Sequence, residues 1–143
     1  MKLTPKGLVV DTEIAVDRKD GNAPSTEHTR FQLNKDYNAG DNPAMVAAEV
    51  GFVMSGNYQS IRVTATCTLP SKPEPSHVGA RYDLAFAASY WALNQQANKI
   101  EELAEAIDLR DRNGAVKKPP IVDIESDDID EVMARVLHLP PEG

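Results

Sequence analysis

The stretch GNYQSIRVTATCTLP, Gly56 to Pro70, decides the fold. From Tyr58 onward its residues alternate. Gln59, Ile61, Val63, Ala65, Cys67 and Leu69 fall on one side, and Tyr58, Ser60, Arg62, Thr64, Thr66 and Thr68 fall on the other. Successive side chains of a strand point to opposite faces, so the stretch predicts a half-buried β-strand with a hydroxyl-rich outer face. The run before it, MVAAEVGFVM (45–54), places Val46, Ala48, Val50, Phe52 and Met54 on one side. Ser55-Gly56-Asn57 lies between the two runs, and the three pieces together read as a β-hairpin.

Upstream, LVVDTEIAV (8–16) alternates in the same way. Leu8, Val10, Thr12, Ile14 and Val16 face inward, and Val9, Asp11, Glu13 and Ala15 face outward. Residues 17–44 are rich in Asp, Asn, Gly, Pro, Ser and Thr, with DGNAPSTEHT and NAGDNP as turn material. They predict a long loop, interrupted at most by a short strand at Phe31 and Leu33.

Pro70, Pro73 and Pro75 stop the sheet. Residues 76–109 then predict one long helix, with Ser76 as its N-cap. Phe86, Tyr90, Leu93, Ala97, Ile100, Ala104 and Ile107 recur at steps of four and three, and Leu84, Trp91 and Leu103 widen that seam. Such a helix is about 50 Å long at 1.5 Å per residue, against about 20 Å for strands of ordinary length. The excess predicts either self-association along the seam or a bend. DRNGAVKKPP (111–120) reads as a linker, with Asn113-Gly114 as the helix stop and Pro119-Pro120 as an extended spacer. In the tail, Ser126 and the acids after it suit the start of a short helix, 126–138, that Pro140 ends. Its stripe is Ile129, Val132, Met133, Val136 and Leu137.

The expected architecture is α+β. An antiparallel sheet of three or four strands packs on one long helix, and a short acidic amphipathic helix follows. The body covers 1–110, the linker 111–120 and the acidic tail 121–143. The chain has 143 residues, 41% of them apolar and 6% aromatic, so the core must rest on aliphatic side chains and alanine. No apolar run is long enough to cross a bilayer. The N-terminal segment lacks the pattern of a signal peptide, and the single cysteine suits a reducing cytoplasm. Of the net charge of −7, all but −1 lies in residues 120–143. The body is therefore near neutral, without the basic excess of a dedicated duplex binder.

The chemistry carried by the sequence is sparse. His28, His77 and His138 are isolated from one another and from the one cysteine, so no metal site is expected. Glycine-rich phosphate loops of standard spacing are absent. Cys67 lies on the apolar side of its strand, as an inert core thiol does. Asp11 and Glu13, with Asp17 beyond, share a strand face. Carboxylates so placed can hold a divalent cation, but a solvated sheet face carries the same residues without one. No enzyme activity and no cofactor are expected.

Single-stranded nucleic acid is commonly held by an aromatic ring and a cation on a sheet. Tyr58 and Arg62 are the candidate contacts, and Tyr37, Phe31, Arg30 and Lys35 could extend their surface. Threonine is equally a good residue for a wet strand face. The tail has three readings. It is a solvated helix packed on the body, or a docking peptide, or a charge that competes for a nucleic-acid surface. As a docking peptide it would use Ile129, Val132, Met133 and Val136, flanked by Asp127 and Asp128. IVDIESDD (121–128) also resembles a SUMO-interacting motif through Ile121, Val122 and Ile124.

With the strand NYQSIRVTATCTLP followed by an amphipathic helix, the chain resembles small proteins encoded in bacteriophage and prophage genomes. The likeness spans residues 50–107 and rests on Asn57, Tyr58, Ser60, Val63 and Pro70. It implies a phage origin, a setting in replication or recombination inside a bacterial host, and no catalytic residue. The expected function is a non-enzymatic phage accessory protein that binds single-stranded nucleic acid. The alternatives are a protein-binding module, such as an inhibitor of a host defence system acting through the acidic tail, and an oligomeric structural protein built on the helix seam.

Overall fold

The computed structural model describes residues 6–18, 25–36, 44–56, 58–121 and 128–137. Four strands form one antiparallel sheet: β1 (Lys6–Asp17), β2 (Ser25–Asp36), β3 (Ala44–Gly56) and β4 (Gln59–Ser71). Their order is β2-β1-β4-β3, so β1 and β4 lie at the centre and β2 and β3 at the edges. The alternation in the sequence becomes the two faces of this sheet. Ile61, Val63, Ala65, Cys67 and Leu69 are buried on the helix side. They pair with the equally buried β1 through Val16↔Ile61, Ile14↔Val63, Thr12↔Ala65 and Val10↔Cys67. The sheet is thus a four-stranded α+β architecture, as the alternation predicts.

The structure corrects the long loop. Residues 25–36 form the full-length strand β2, paired to β1 from Val16↔Ser25 to Lys6↔Asp36. An edge strand is held by a backbone ladder on one side and needs little apolar patterning. Phe31 and Leu33 are the apolar residues that β2 sends inward. The other inward positions, Ser25, Glu27 and Thr29, are polar, and Glu27 forms an ion pair with Lys99.

The single long helix is also corrected. Glu74 is the N-cap and Pro75 opens α1 (Pro75–Gln95), so Ser76 lies inside the first turn. Proline suits that position because the first turn leaves its N–H groups unpaired. A break at Gln96 separates α1 from α2 (Ala97–Ala106). The helix stops before Asn113-Gly114. Leu109 N–H bonds Ala104 O at 2.8 Å and Asp108 N–H bonds Glu105 O at 3.0 Å, with Asp108 at φ 56°. These two bonds form a Schellman cap with aspartate where glycine is usual. The length mismatch vanishes as well. Strands of 12 or 13 residues run for about 40 Å at 3.3 Å per residue, longer than the 21-residue α1 at 1.5 Å per residue.

The buried surface of α1 is wider than the predicted seam. Leu84, Ala85, Ala87, Ala88, Ser89, Trp91, Ala92 and Leu93 are all buried, while Phe86 and Tyr90 are half-buried. The breadth follows from packing on two sides, since α1 contacts β4 and β3 and also α3 (Ile129–Leu137). Small alanines let both neighbours approach the backbone. Helix α3 starts later than 126. Asp128 accepts from Asp130 N–H at 3.0 Å and caps it, while Ser126 lies outside the described residues. Ile129, Val132 and Val136 are buried in the common core.

The predicted linker is partly a folded turn. Arg110 bridges to Val116, and Asp111 accepts from Asn113 and Ala115 N–H. Lys117 N–H bonds Leu109 O at 2.8 Å, and Lys117 Nζ reaches Ser55 O beside the β3–β4 turn. Among the described residues no helix is long and apolar enough to cross a membrane.

Because α3 shares the core, Val132→Ala should lower the free energy of unfolding of the whole chain by about 2 kcal/mol. The exposed Glu131→Ala should change it by less than about 0.5 kcal/mol. Urea denaturation followed by Trp91 fluorescence reads both. A tail that is not part of the cooperative unit would leave the Val132→Ala curve unmoved.

The uncovered sheet face as candidate functional site

Helix α1 packs on the side of the sheet to which every fully buried strand residue points, and α3 packs on α1. Among the described residues nothing covers the other side. The register lays its residues out in rows from β2 to β3. One row is Arg30, Asp11, Thr66 and Glu49; the next is His28, Glu13, Thr64 and Gly51; a third is Thr26, Ala15, Arg62 and Val53. On the two central strands the face carries Asp11, Glu13 and Ala15 from β1 and Thr66, Thr64 and Arg62 from β4, with Gly51 beside them on β3. Gly51 is required there, since a Cβ would sit 2.6 Å from the carbonyl oxygen of Val63.

The charges on this face are mixed and partly self-paired. Arg30 Nε donates to Asp11 Oδ1 at 2.9 Å. His28 Nδ1 lies 4.0 Å from Glu13 Oε2. Described carboxylates on the face are Asp11, Glu13, Asp17 and Glu49, against the guanidinium groups of Arg30 and Arg62. Two hollows mark it. Asp11, His28 and Arg30 border one of about 480 Å³. Ala15, Asp17, Ser60 and Arg62 border another of about 200 Å³.

The predicted nucleic-acid contacts separate. Arg62 stands on β4, between Ala15 and Val53. Arg30 stands on β2, two strands away and four residues along, about 16 Å distant on the strand lattice, and bound to Asp11. Tyr58 is on neither face. Gly56 pairs with Gln59, so Tyr58 belongs to the two-residue turn of the hairpin, with φ 63° and 94% exposure. Phe31 is half-buried on the helix side, packed edge-on against Trp91 with ring centroids 5.7 Å apart. Tyr37 and the Lys35 side chain lie outside the described residues.

The predicted docking stripe is occupied. Ile129, Val132 and Val136 are buried and Met133 is half-buried against the body, so a partner cannot take them while α3 is docked. Asp128 is exposed and caps the helix; Asp127 lies outside the described residues. Among the described residues no three metal-ligating side chains converge. Asp11 and Glu13 are drawn instead towards Arg30 and His28.

Sequence reading missed the polar pins beneath the face. Gln96, at the helix break, donates through Nε2 to Thr12 Oγ1 at 3.0 Å, and Thr12 donates to Thr29 O at 2.9 Å. Gln59 Nε2 donates to Ile107 O at 2.7 Å, tying the start of β4 to the end of α2. Gln59 and Thr12, polar residues on the apolar sides of their strands, are the visible signals. Trp91 Nε1 is buried with no hydrogen-bond partner among the described residues.

Burial pushes the Cys67 thiol up to about 11, and the Asp11 carboxylate adds to the rise. The unfolded chain therefore releases this proton first, near pH 9, and stability falls as pH rises from 9 to 11. The loss should reach about 2–3 kcal/mol. Denaturation of the native chain and of Cys67→Ala across that window should show a shallower fall for the variant; parallel curves would contradict the assignment. No protein-family model, no curated protein and no solved structure matches this chain.

Proposed function

We propose that the chain is a non-enzymatic binding protein whose uncovered sheet face takes a protein partner. The composition of that face carries the reading. Carboxylates outnumber guanidinium groups, no described aromatic ring lies on it, and β4 lines it with the hydroxyls of Thr64, Thr66 and Thr68. A polyphosphate strand would meet Asp11, Glu13 and Glu49 at close range and be repelled. A protein surface can match mixed charges, and complementary charges set register and choice of partner. Exposed Val9, Met45 and Val53 add apolar contacts among the polar ones. The phage resemblance supports a host protein as the partner, with inhibition of a host system as the outcome.

Photo-crosslinking tests this in cells that carry the gene. A benzophenone side chain at Thr64 or Thr66 should give a discrete heterologous adduct, and one at Ala106, on the helical side, should give none. Equal labelling from both sides, or from neither, would count against the sheet face.

Tyr58 favours a second reading, in which single-stranded nucleic acid is held at the hairpin corner by Tyr58 and Arg62. A left-handed backbone is costly for tyrosine, and the turn nonetheless presents this ring at 94% exposure. Fluorescence anisotropy with a labelled single-stranded oligonucleotide reads it. Binding at micromolar protein, weakened at least about tenfold by Tyr58→Gly and by Arg62→Ala, would support it. Glycine suits the positive φ, so Tyr58→Gly should keep full stability and separate binding from folding. No binding at low salt would sink this second reading.

A further inference from the structure

The two edges of the sheet are guarded very differently. β2 carries Glu27, His28 and Arg30 along its edge. Charges of this kind are how proteins keep an open edge from pairing with another chain. β3, AMVAAEVGFVMSG, is 13 residues long with one charge, Glu49, and no proline. Its only partner among the described residues is β4. At the turn end Ser55 O already accepts from Lys117 Nζ; the outer N–H and C=O groups of the rest of β3 are a template for a further strand. Val50 and Phe52, on its helix side, are only half-buried, and Met45 and Val53 on the bare side are 65% and 55% exposed.

We infer that this edge pairs with the β3 edge of a second copy of the chain, antiparallel about a two-fold axis at Val50. The strand is complementary to itself in that register. The paired span runs from Val46 to Met54, because the Ser55–Gly56 end of β3 is held by Lys117 and the loop that carries it. On the helix side Val50 meets its own copy, Ala48 meets Phe52 and Val46 meets Met54, which extends the apolar core across the axis. On the bare side Ala47 meets Val53. Glu49 falls opposite Gly51, a position with no side chain. Sliding the copies to a two-fold at Glu49 would instead set the two carboxylates directly opposite each other, which is unfavourable. The pairing joins two four-stranded sheets into one of eight strands and makes a single bare face of the two. It uses the strand edge, not the face, and stands independently of the partner-binding reading above.

Sedimentation velocity of the full chain over a range of micromolar concentrations tests it, with far-ultraviolet circular dichroism to verify folding. The native chain should sediment as a dimer of the 15.6 kDa chain. Ala47 and Val53 are both exposed, so charges there should leave the fold intact. The double variant Ala47→Glu/Val53→Glu sets like charges opposite each other twice and should raise the dimer dissociation constant about tenfold or more. Ala47→Lys/Val53→Glu sets opposite charges in the same places and should remain a dimer. A native chain that is monomeric throughout would overturn the proposal. So would a native dimer whose affinity ignores both variants, or one that both variants disrupt equally, since the interface or register would then lie elsewhere.

Discussion

The pairing of β1 with β4 is the constraint on which the other elements depend. Val10, Ile14, Ile61, Val63, Ala65 and Cys67 come from the two central strands and are essentially without exposure. The two strands lie far apart in the chain, and neither is joined to the other by a tight turn. Each instead brings its own neighbour, β1 carrying β2 and β4 carrying β3. Their shared apolar surface is the floor on which α1 lies. Once that floor exists, the alanine-rich surface of α1 can settle against it, and the opposite side of α1 receives α3.

Polar contacts then position the helices on the floor. The chain from Gln96 through Thr12 to the Thr29 carbonyl links the helix break to the central and edge strands. Ser89 reaches Ala48 O on β3, and Gln59 reaches Ile107 O at the end of α2. Buried hydrogen bonds add little net stability, but leaving such groups unpaired is costly. They therefore select one placement of the helices among several that would bury similar apolar area. The break at Gln96 belongs to this selection, because an unbroken helix would not hold both the Gln96 contact and the Gln59 contact in the same way.

The one-sided covering of the sheet shapes what the molecule can do. With helices and tail gathered on one side, the opposite face and the β3 edge are the large regular surfaces left without cover among the described residues. Their chemistries differ. The face is mixed in charge and rich in hydroxyls, suited to recognition of another protein by complementary polar contacts. The edge is apolar and nearly uncharged, suited to backbone pairing. The acidic tail, the strongest charge feature of the chain, turns its apolar stripe to its own core and leaves Asp128, Asp130 and Glu131 in solvent.

By itself the sequence determined the inside and outside of β1, β3 and β4, the presence of a helical region after the prolines, and the inert burial of Cys67. These are local signals, because a period of two or of three and four records which side of an element is buried. Only the tertiary structure decided that 25–36 is a strand, that the long helix breaks at Gln96, that α3 is part of the core and that Tyr58 lies in a turn. A backbone ladder on one side is enough to hold an edge strand whatever its side-chain pattern. A helix break is set by a hydrogen bond between residues 84 positions apart. An amphipathic stripe states only that one side must be covered, and whether the cover is its own chain or another is settled by the surface that the rest of the fold presents.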